Sequence, residues 1–429
     1  MQTEIDPQFS GTADGRQAEA IVRKCVHCGF CNATCPTYQL LGDELDGPRG
    51  RIYLMKQVLE GHAPTRATQL HLDRCLTCRN CETTCPSGVQ YGNLVEIGRR
   101  LVDARVPRPA GERLARLALK EGLTSPLFAA TLKLGQMARP FLPASIKAKV
   151  PPAAPPSAHR WPAREHPRKV LMLMGCVQPA MLPNINSATA RVLDAAGIQT
   201  LVAAEAGCCG AIRLHLGDHE GGLGHMRRNI DAWWPLVSSG GVEAIVSNAS
   251  GCGVTVKEYG HSLADDPAYA EKARRVAGLT RDLCELLDDM APALQARLAT
   301  PGPAGSDGAG SRARRPGRIA FHAPCSLQHG QRLRGGVESH LAALGFDVRA
   351  AGESHLCCGS AGTYSLLQPE LAKALRDRKL GHLGATEPEV IASANIGCIQ
   401  HLQSGTSIAV RHWIEILDDA ITEPLPAGH

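Results

Sequence analysis

The sequence predicts a multidomain protein of α+β and α/β class, a helical unit followed by two duplicated α/β units, on three observations. A cysteine pattern, C-x2-C-x2-C-x3-C-P, occurs twice near the N-terminus. The rest of the chain repeats a different cysteine pattern at matched intervals. Two stretches poor in core-forming residues cut the 429 residues into three blocks, in line with a length prior of about three domains.

The first block carries the doubled pattern: Cys25, Cys28, Cys31, Cys35 and Pro36, then Cys75, Cys78, Cys81, Cys85 and Pro86. Such a run holds two [4Fe–4S] clusters in bacterial-type ferredoxins. Three thiolates spaced two residues apart wrap one corner of a cube within a tight turn, and the fourth, just before a proline, points towards the other cluster. The expected sets are therefore Cys25, Cys28, Cys31 and Cys85 for one cluster, and Cys75, Cys78, Cys81 and Cys35 for the other. Zinc sites use two C-x2-C pairs separated by a longer loop, a shape neither copy has. A disulfide framework needs an oxidising compartment. The N-terminus, MQTEIDPQFSGTADGRQ, shows no basic region followed by an apolar run, so no secretory signal is expected.

The block ends in an apolar stretch, Leu114 to Leu142, broken by Pro126 and Pro140. A membrane-surface or partner-binding helix pair is one reading; a helical cap packed on the ferredoxin unit is the favoured one. The linker 143–167 follows, rich in proline and small residues. A second connector, 300–317, is rich in glycine, proline and arginine. The expected domains are thus 1–142, 168–299 and 318–429.

Blocks two and three are copies of each other. Each opens on a short apolar run ending in cysteine, at Cys176 and Cys325, followed by a helical segment closing at Gly197 and Gly345. A second extended run leads to Cys-Cys-Gly, at Cys208-Cys209-Gly210 and Cys357-Cys358-Gly359, and the spacing from first cysteine to pair is 32 in both. A third apolar run reaches Cys252 and Cys398. Strand–helix–strand alternation argues for α/β units, whose ligands bind beyond the carboxyl ends of the strands. Each copy should therefore converge four thiolates on one site, with the glycine after each pair serving a positive φ or a close approach to a cofactor. Further iron–sulfur clusters, one per copy or one shared, suit this set best, because the outer cysteines must also be explained. A vicinal dithiol cycling to a disulfide is the alternative, and buried cysteines without chemistry the third. Of the 17 cysteines one is left over, Cys284, expected to be a small buried hydrophobe.

Composition narrows the rest. With 44% hydrophobic and 20% charged residues the chain reads as globular, and 4% aromatics argue against a stacking platform for single-stranded nucleic acid. A net charge of +5 without a long basic run speaks against nucleic-acid partners generally. No apolar stretch approaches membrane-spanning length. The expected location is cytoplasmic, with at most a peripheral contact at the inner face of the cell membrane. G-x-G-x-x-G is absent, so flavin or nicotinamide chemistry is expected on another polypeptide.

Beyond these motifs, a di-cluster ferredoxin followed by two Cys-Cys-Gly domains resembles a broad family. It includes chains of heterodisulfide reductase and of anaerobic glycerol-3-phosphate dehydrogenase, together with lactate-utilisation proteins. KCVHCGFCNATCPTYQLLGDELDGPRGRIYLMKQVLEG, HLDRCLTCRNCETTCPSG, NIDAWWP, SHLCCGSAGTYSL, ANIGC and RHWIEIL are similar, more closely, to iron–sulfur subunits of bacterial glycolate oxidases. The resemblance runs from about residue 18 to about 420. It implies a protein that accepts electrons from FAD-containing partners oxidising glycolate to glyoxylate and passes them towards quinone. An electron-transfer chain of a D-lactate or glycerol-3-phosphate dehydrogenase, or a heterodisulfide-reductase-like thiol–disulfide enzyme, are the alternatives. One departure weakens the last: heterodisulfide reductase relatives carry C-x2-C where this chain has Ala249 before Cys252 and Asn395 before Cys398.

Five other residues are candidates. His27 is read as a donor to cluster sulfur or a plain turn residue. Arg49 and Arg51 are read as offsets to cluster charge or as ordinary salt-bridge partners. His322 and His355, ahead of cysteines in the third block, are read as ligands or as hydrogen-bonded core histidines.

Overall fold

A computed structural model describes residues 1–141, 143, 150–299 and 315–421. The second connector lies outside the described residues up to 314, as does 144–149 of the first. The first block is helical. Helices Ala13–Lys24, Pro48–Leu59 and Tyr91–Asp103 pack together around Ile21, Val22, Ile52, Met55, Leu94 and Val95. The N-cap Thr12, whose hydroxyl accepts from Gly15 N, starts the first of these, and Pro48 at a helical N1 position starts the second.

Each repeat builds a four-stranded parallel sheet. In the first, β1 (Arg168–Met172), β2 (Ile198–Leu201), β3 (Ala244–Ser247) and β4 (Thr280–Asp282) lie in the order β2-β1-β3-β4. In the second, β5 (Arg318–His322), β6 (Asp347–Ala350), β7 (Val390–Ser393) and β8 (Ala409–His412) repeat it as β6-β5-β7-β8. The matching registers, Val170 opposite Ala244 and Ile319 opposite Val390, set both central strands alike. In each sheet the chain leaves the central strand for one neighbour and returns on its other side. That reversal is the switch point at which open α/β sheets bind ligands. The central strands read as unbroken apolar runs because helices cover both faces.

The two repeats share one continuous core. Helix Pro183–Ala195 packs against helix Trp413–Ile421, and Leu287, Met290 and Leu294 join Ile319, Leu341 and Trp413 in a single buried cluster. Arg191 donates to Asp418 across this contact at 3.0 and 3.1 Å, and Asn184 donates to Glu415 at 2.8 Å.

The helix pair after the ferredoxin unit departs from the favoured expectation. Helices Ala110–Thr124 and Phe128–Ala138 bury no residue fully, and Leu114, Leu127, Leu134 and Met137 stand exposed. The pair is held by its edges: Arg116 to Asp73, Glu112 to Arg66, and Lys120 to Asp218. Its apolar stripe is thus an open face and not the seam of a cap. Among the described residues no helix is long and apolar enough to cross a membrane.

Candidate metal centres

The two N-terminal cysteine runs fold alike. In each, the residue before the second cysteine and the residue after it take positive φ: His27 (60°) and Gly29 (84°), then Thr77 (52°) and Arg79 (61°). Such reversals turn successive backbone N–H groups inward, as an anion-binding nest does. Thr77 N already points at Cys75 Sγ, at 3.4 Å. Cys85 is the C-cap of helix Asn80–Thr84 and Cys35 the N-cap of helix Pro36–Leu41, each directly before a proline.

The result is two adjoining cavities. One is lined by Cys25, Cys28, Cys31 and Cys85, the other by Cys35, Cys75 and Cys78, and Cys81 borders both. Tyr91 and Pro48 form part of both walls. The first cavity opens to solvent: Cys28 is exposed, and Val26 and Phe30 beside it are 69% and 62% exposed. His27 and Arg49 line this rim, where Arg49 also pairs with Glu44 at 2.6 Å.

The second cavity is buried and carries a positive charge. Arg51 is 1% exposed and donates to the His71 carbonyl at 2.7 Å, to Thr37 Oγ1 at 3.2 Å and to Asp46 at 3.3 Å. Thr37 Oγ1 lies in turn 3.3 Å from Cys35 Sγ. Arg99 donates to the Cys75 carbonyl at 2.6 Å. Burial alone would raise the Cys75 thiol, but Arg51, Arg99 and the Thr77 N–H bring it below its ordinary value. Cys78 and Cys81, lacking that help, are pushed well up by burial. Of the two arginines left open by the sequence, Arg51 thus combines both roles: a salt-bridge partner that also faces the sulfurs. Arg99, Thr37 and Tyr91, whose hydroxyl donates to Cys75 Sγ at 3.7 Å, carry no sequence signal of their own.

In the first repeat, Cys176 follows β1, the Cys208–Cys209 pair follows β2 and Cys252 follows β3, so all four collect at the carboxyl end of the sheet. Neighbouring thiols interact in a row: Cys176 with Cys208, Cys208 with Cys209, and Cys209 with Cys252. Interaction with Cys176 and Cys209 brings the Cys208 thiol well below its ordinary value, while Cys176 and Cys209 are raised. Gly210 N is placed 3.5 Å from Cys208 Sγ.

The second repeat reproduces the row. Cys325 and Cys357 sulfurs are 3.9 Å apart, Cys357 interacts with Cys358, and Cys358 with Cys398. Gly359 N is 3.4 Å from Cys357 Sγ. Both glycines have the positive φ expected of them, 98° at Gly210 and 90° at Gly359. They are also places of close approach, since a Cβ would meet Gly222 O at 2.8 Å and Ala372 O at 2.5 Å. Asn395 fills the place of a fifth cysteine and donates to Cys398 Sγ at 3.7 Å, while its carbonyl oxygen accepts from Gly251 N at 3.3 Å. The two cysteine rows are thereby linked through one amide.

The ferredoxin unit meets the second repeat directly. Leu76, Cys78, Cys325, Cys357 and Tyr364 pack in one apolar cluster, and Tyr364 donates to the Arg74 carbonyl at 3.1 Å. His329 clamps the same joint, donating from Nε2 to the His355 carbonyl at 2.8 Å and facing Thr83 Oγ1 at 3.0 Å. His355 contributes that carbonyl; among the described residues its ring joins no metal-type cluster, unlike His322. Cys284 is buried, and burial beside Asp282 pushes its thiol far up, which leaves it chemically inert.

Comparison with known proteins agrees with this organisation. Residues 21–89 match the 4Fe-4S dicluster domain, and residues 170–257 and 319–403 match the Cysteine-rich domain. The chain is 53% identical to the glycolate oxidase iron-sulfur subunit of Escherichia coli (strain K12), over 98% of this chain and 99% of that one. A probable glycolate oxidase iron-sulfur subunit of Bacillus subtilis (strain 168) is 29% identical over 94% of each chain. Lactate utilization protein A of Geobacillus thermodenitrificans (strain NG80-2) is 25% identical over 58% of this chain and 98% of its own length. With its doubled cysteine run, its two Cys-Cys-Gly repeats and this near full-length likeness, the chain belongs to the family of glycolate oxidase iron–sulfur subunits.

Proposed function

We propose that this chain is the electron-transfer subunit of a glycolate oxidase, taking electrons from FAD-containing partner subunits and passing them towards quinone. The observation that carries the reading is the pair of adjoining cysteine-lined cavities, one solvent-facing and one buried against the second repeat. The donor set fits the group: soft thiols only, turned backbone N–H groups, and a buried arginine to balance anionic charge. Cys25, Cys28, Cys31 and Cys85 are proposed to hold one [4Fe–4S] cluster, and Cys35, Cys75, Cys78 and Cys81 the other. Each cluster, when bound, takes up and releases one electron at a time.

The protein's own part is position and charge. The exposed rim of Val26, Cys28 and Phe30 suits a docking flavoprotein, since an apolar tip excludes water where two centres must approach. Arg51 and Arg99 offset negative charge at the buried cavity and favour its more reduced state. Contact of Cys78 with Cys325 and Cys357 supports an onward direction into the second repeat. The eight repeat cysteines are proposed as further soft-metal sites, and the four-thiol row of Cys176, Cys208, Cys209 and Cys252 suits an iron–sulfur cluster. The open face of Leu114, Leu127, Leu134 and Met137 supports contact with a partner protein. No flavin or hydroxy-acid site is proposed on this chain, so it should not oxidise glycolate alone.

The test is reconstitution. The anaerobically purified chain alone should give no glycolate-dependent dye reduction, and the flavoprotein partners with it should reduce quinone. Turnover by the homogeneous chain, or full quinone reduction by the partners without it, would overturn the reading.

A further inference from the structure

The two repeats match cysteine for cysteine but differ at the end of the central strand. His322 ends the central strand β5, and the equivalent place after β1 is Leu173. His322 is 2% exposed, and its Nε2 has no hydrogen-bond partner among the described residues. Leaving such a group unmade inside a protein costs about 1–3 kcal/mol. The ring does not face a featureless wall. A ring nitrogen of His322, Cys358 Sγ and Cys398 Sγ all lie within 4.8 Å of one another. Both cysteines are as buried as the histidine, at 1% and 4% exposed.

Spacing decides what such a trio can hold. A tetrahedral ion with metal–sulfur bonds of about 2.3 Å and metal–nitrogen bonds of about 2.0 Å sets its donors roughly 3.5–4 Å apart. What separates this trio from the all-sulfur row of the first repeat is the imidazole. Lys379, 2% exposed and facing Cys358 and Cys357, supplies a compensating positive charge.

We propose that the second repeat holds a single divalent ion of the ferrous or zinc type on His322, Cys358 and Cys398, whereas the first repeat offers sulfur donors only. Imidazole and thiolate together select this borderline-soft class over magnesium or calcium. The inference rests on the repeats being soft-metal sites. It does not depend on the organic substrate or on where electrons enter.

Cobalt(II) is the probe, added to the full-length anaerobic chain after dialysis against a chelator. The wild-type chain should take up tightly one equivalent showing tetrahedral absorption, sulfur-to-cobalt charge transfer and ¹⁴N coupling in pulsed EPR. His322→Leu, which copies the first repeat, should weaken that binding by about tenfold or more and abolish the nitrogen coupling. His322→Cys should restore binding with an all-sulfur spectrum, which keeps the test decisive even where His322→Leu folds poorly. Unchanged cobalt affinity and spectrum in His322→Leu would overturn the proposal, as would a four-iron centre without nitrogen coupling at this site in the protein as isolated. Metal analysis of that protein separates iron from zinc. EPR of the ferredoxin cysteines' clusters, and quinone reduction by the full complex, report separately on the electron-transfer reading.

Discussion

Asn395 donates through its side-chain amide to Cys398 Sγ at 3.7 Å. The same side chain accepts from Gly251 N, next to Cys252 of the other repeat. Replacing Asn395 with alanine removes both contacts. The expected outcome is a loss of about 1 kcal/mol in denaturant unfolding, together with weaker metal retention at Cys398. Unchanged stability and metal content in Asn395→Ala would show that the amide is incidental.

The crossed thiols of the ferredoxin unit give a sharper test. Cys35 lines the cavity of Cys75 and Cys78, and Cys85 lines that of Cys25, Cys28 and Cys31. Cys35→Ser should therefore perturb the EPR of the buried centre and spare the solvent-facing one, and Cys85→Ser should do the reverse. Loss of the solvent-facing signal in Cys35→Ser would contradict the proposed ligand sets.

Arg51 ties charge to stability. Its guanidinium is enclosed by Asp46, Thr37 and the His71 carbonyl, with Cys35 and Cys75 close by. Arg51→Met leaves the buried Asp46 with Arg74 and His71 alone, at 2.8 and 3.1 Å. Breaking a buried pair in this way costs about 3–5 kcal/mol. Loss of a positive charge beside the sulfurs should also lower the reduction potential of the buried centre, read by redox titration against the solvent-facing one. A stable variant with an unshifted potential would remove Arg51 from the electrostatic account.

Much of this was legible because it is local. The eleven-residue cysteine runs and the Cys-Cys-Gly repeats encode turns and strand ends within a few residues, so the sequence predicts both fold class and donor types. What it does not encode is long-range. Nothing around Cys78 announces Cys325 or Cys357, which reach it only once the second repeat docks. Arg49 and Arg51 look equivalent in DGPRGR, yet helix geometry turns one to the solvent-facing rim and the other inward. His322 and His355 both precede cysteines, and only strand direction sends the former into the donor trio. The apolar periodicity of Ala110–Thr124 is real, but periodicity does not say whether this chain or another covers the stripe.

Gly359 tests the backbone geometry of the cysteine pair. Its φ of 90° and the 2.5 Å approach of Ala372 O to a would-be Cβ leave no room for a side chain. Gly359→Ala should cost about 1–3 kcal/mol and shift Cys357 and Cys358 together. Altered thiol reactivity of the pair, with Cys284 unreactive in both proteins, is the expected signature. A variant as stable as wild type with an unchanged pair would show that the turn relaxes freely.

Acid should loosen the chain through two buried histidines. His412 is fully buried and holds its ring between the Asn248 carbonyl, 2.8 Å from Nε2, and Ile414 N, which donates to Nδ1 at 3.2 Å. That arrangement requires the neutral ring, and burial brings its pKa from 6.5 down to about 3. His329, whose Nε2–H clamps the ferredoxin joint, is brought down to about 4, first by burial and then by Arg334. Both folded values lie below the unfolded one, so between them the unfolded chain binds more protons. Their stability contribution is complete above about pH 6.5 and is lost progressively as pH falls towards 4 and then 3, at about 1.4 kcal/mol per unit of separation for each ring. His412→Gln keeps a polar side chain at this position and removes one titration, so its stability should fall less steeply with acid than that of the wild type. Parallel pH–stability curves for the two proteins, measured by urea unfolding between pH 7 and about pH 4.5, would show that His412 is not the group that titrates.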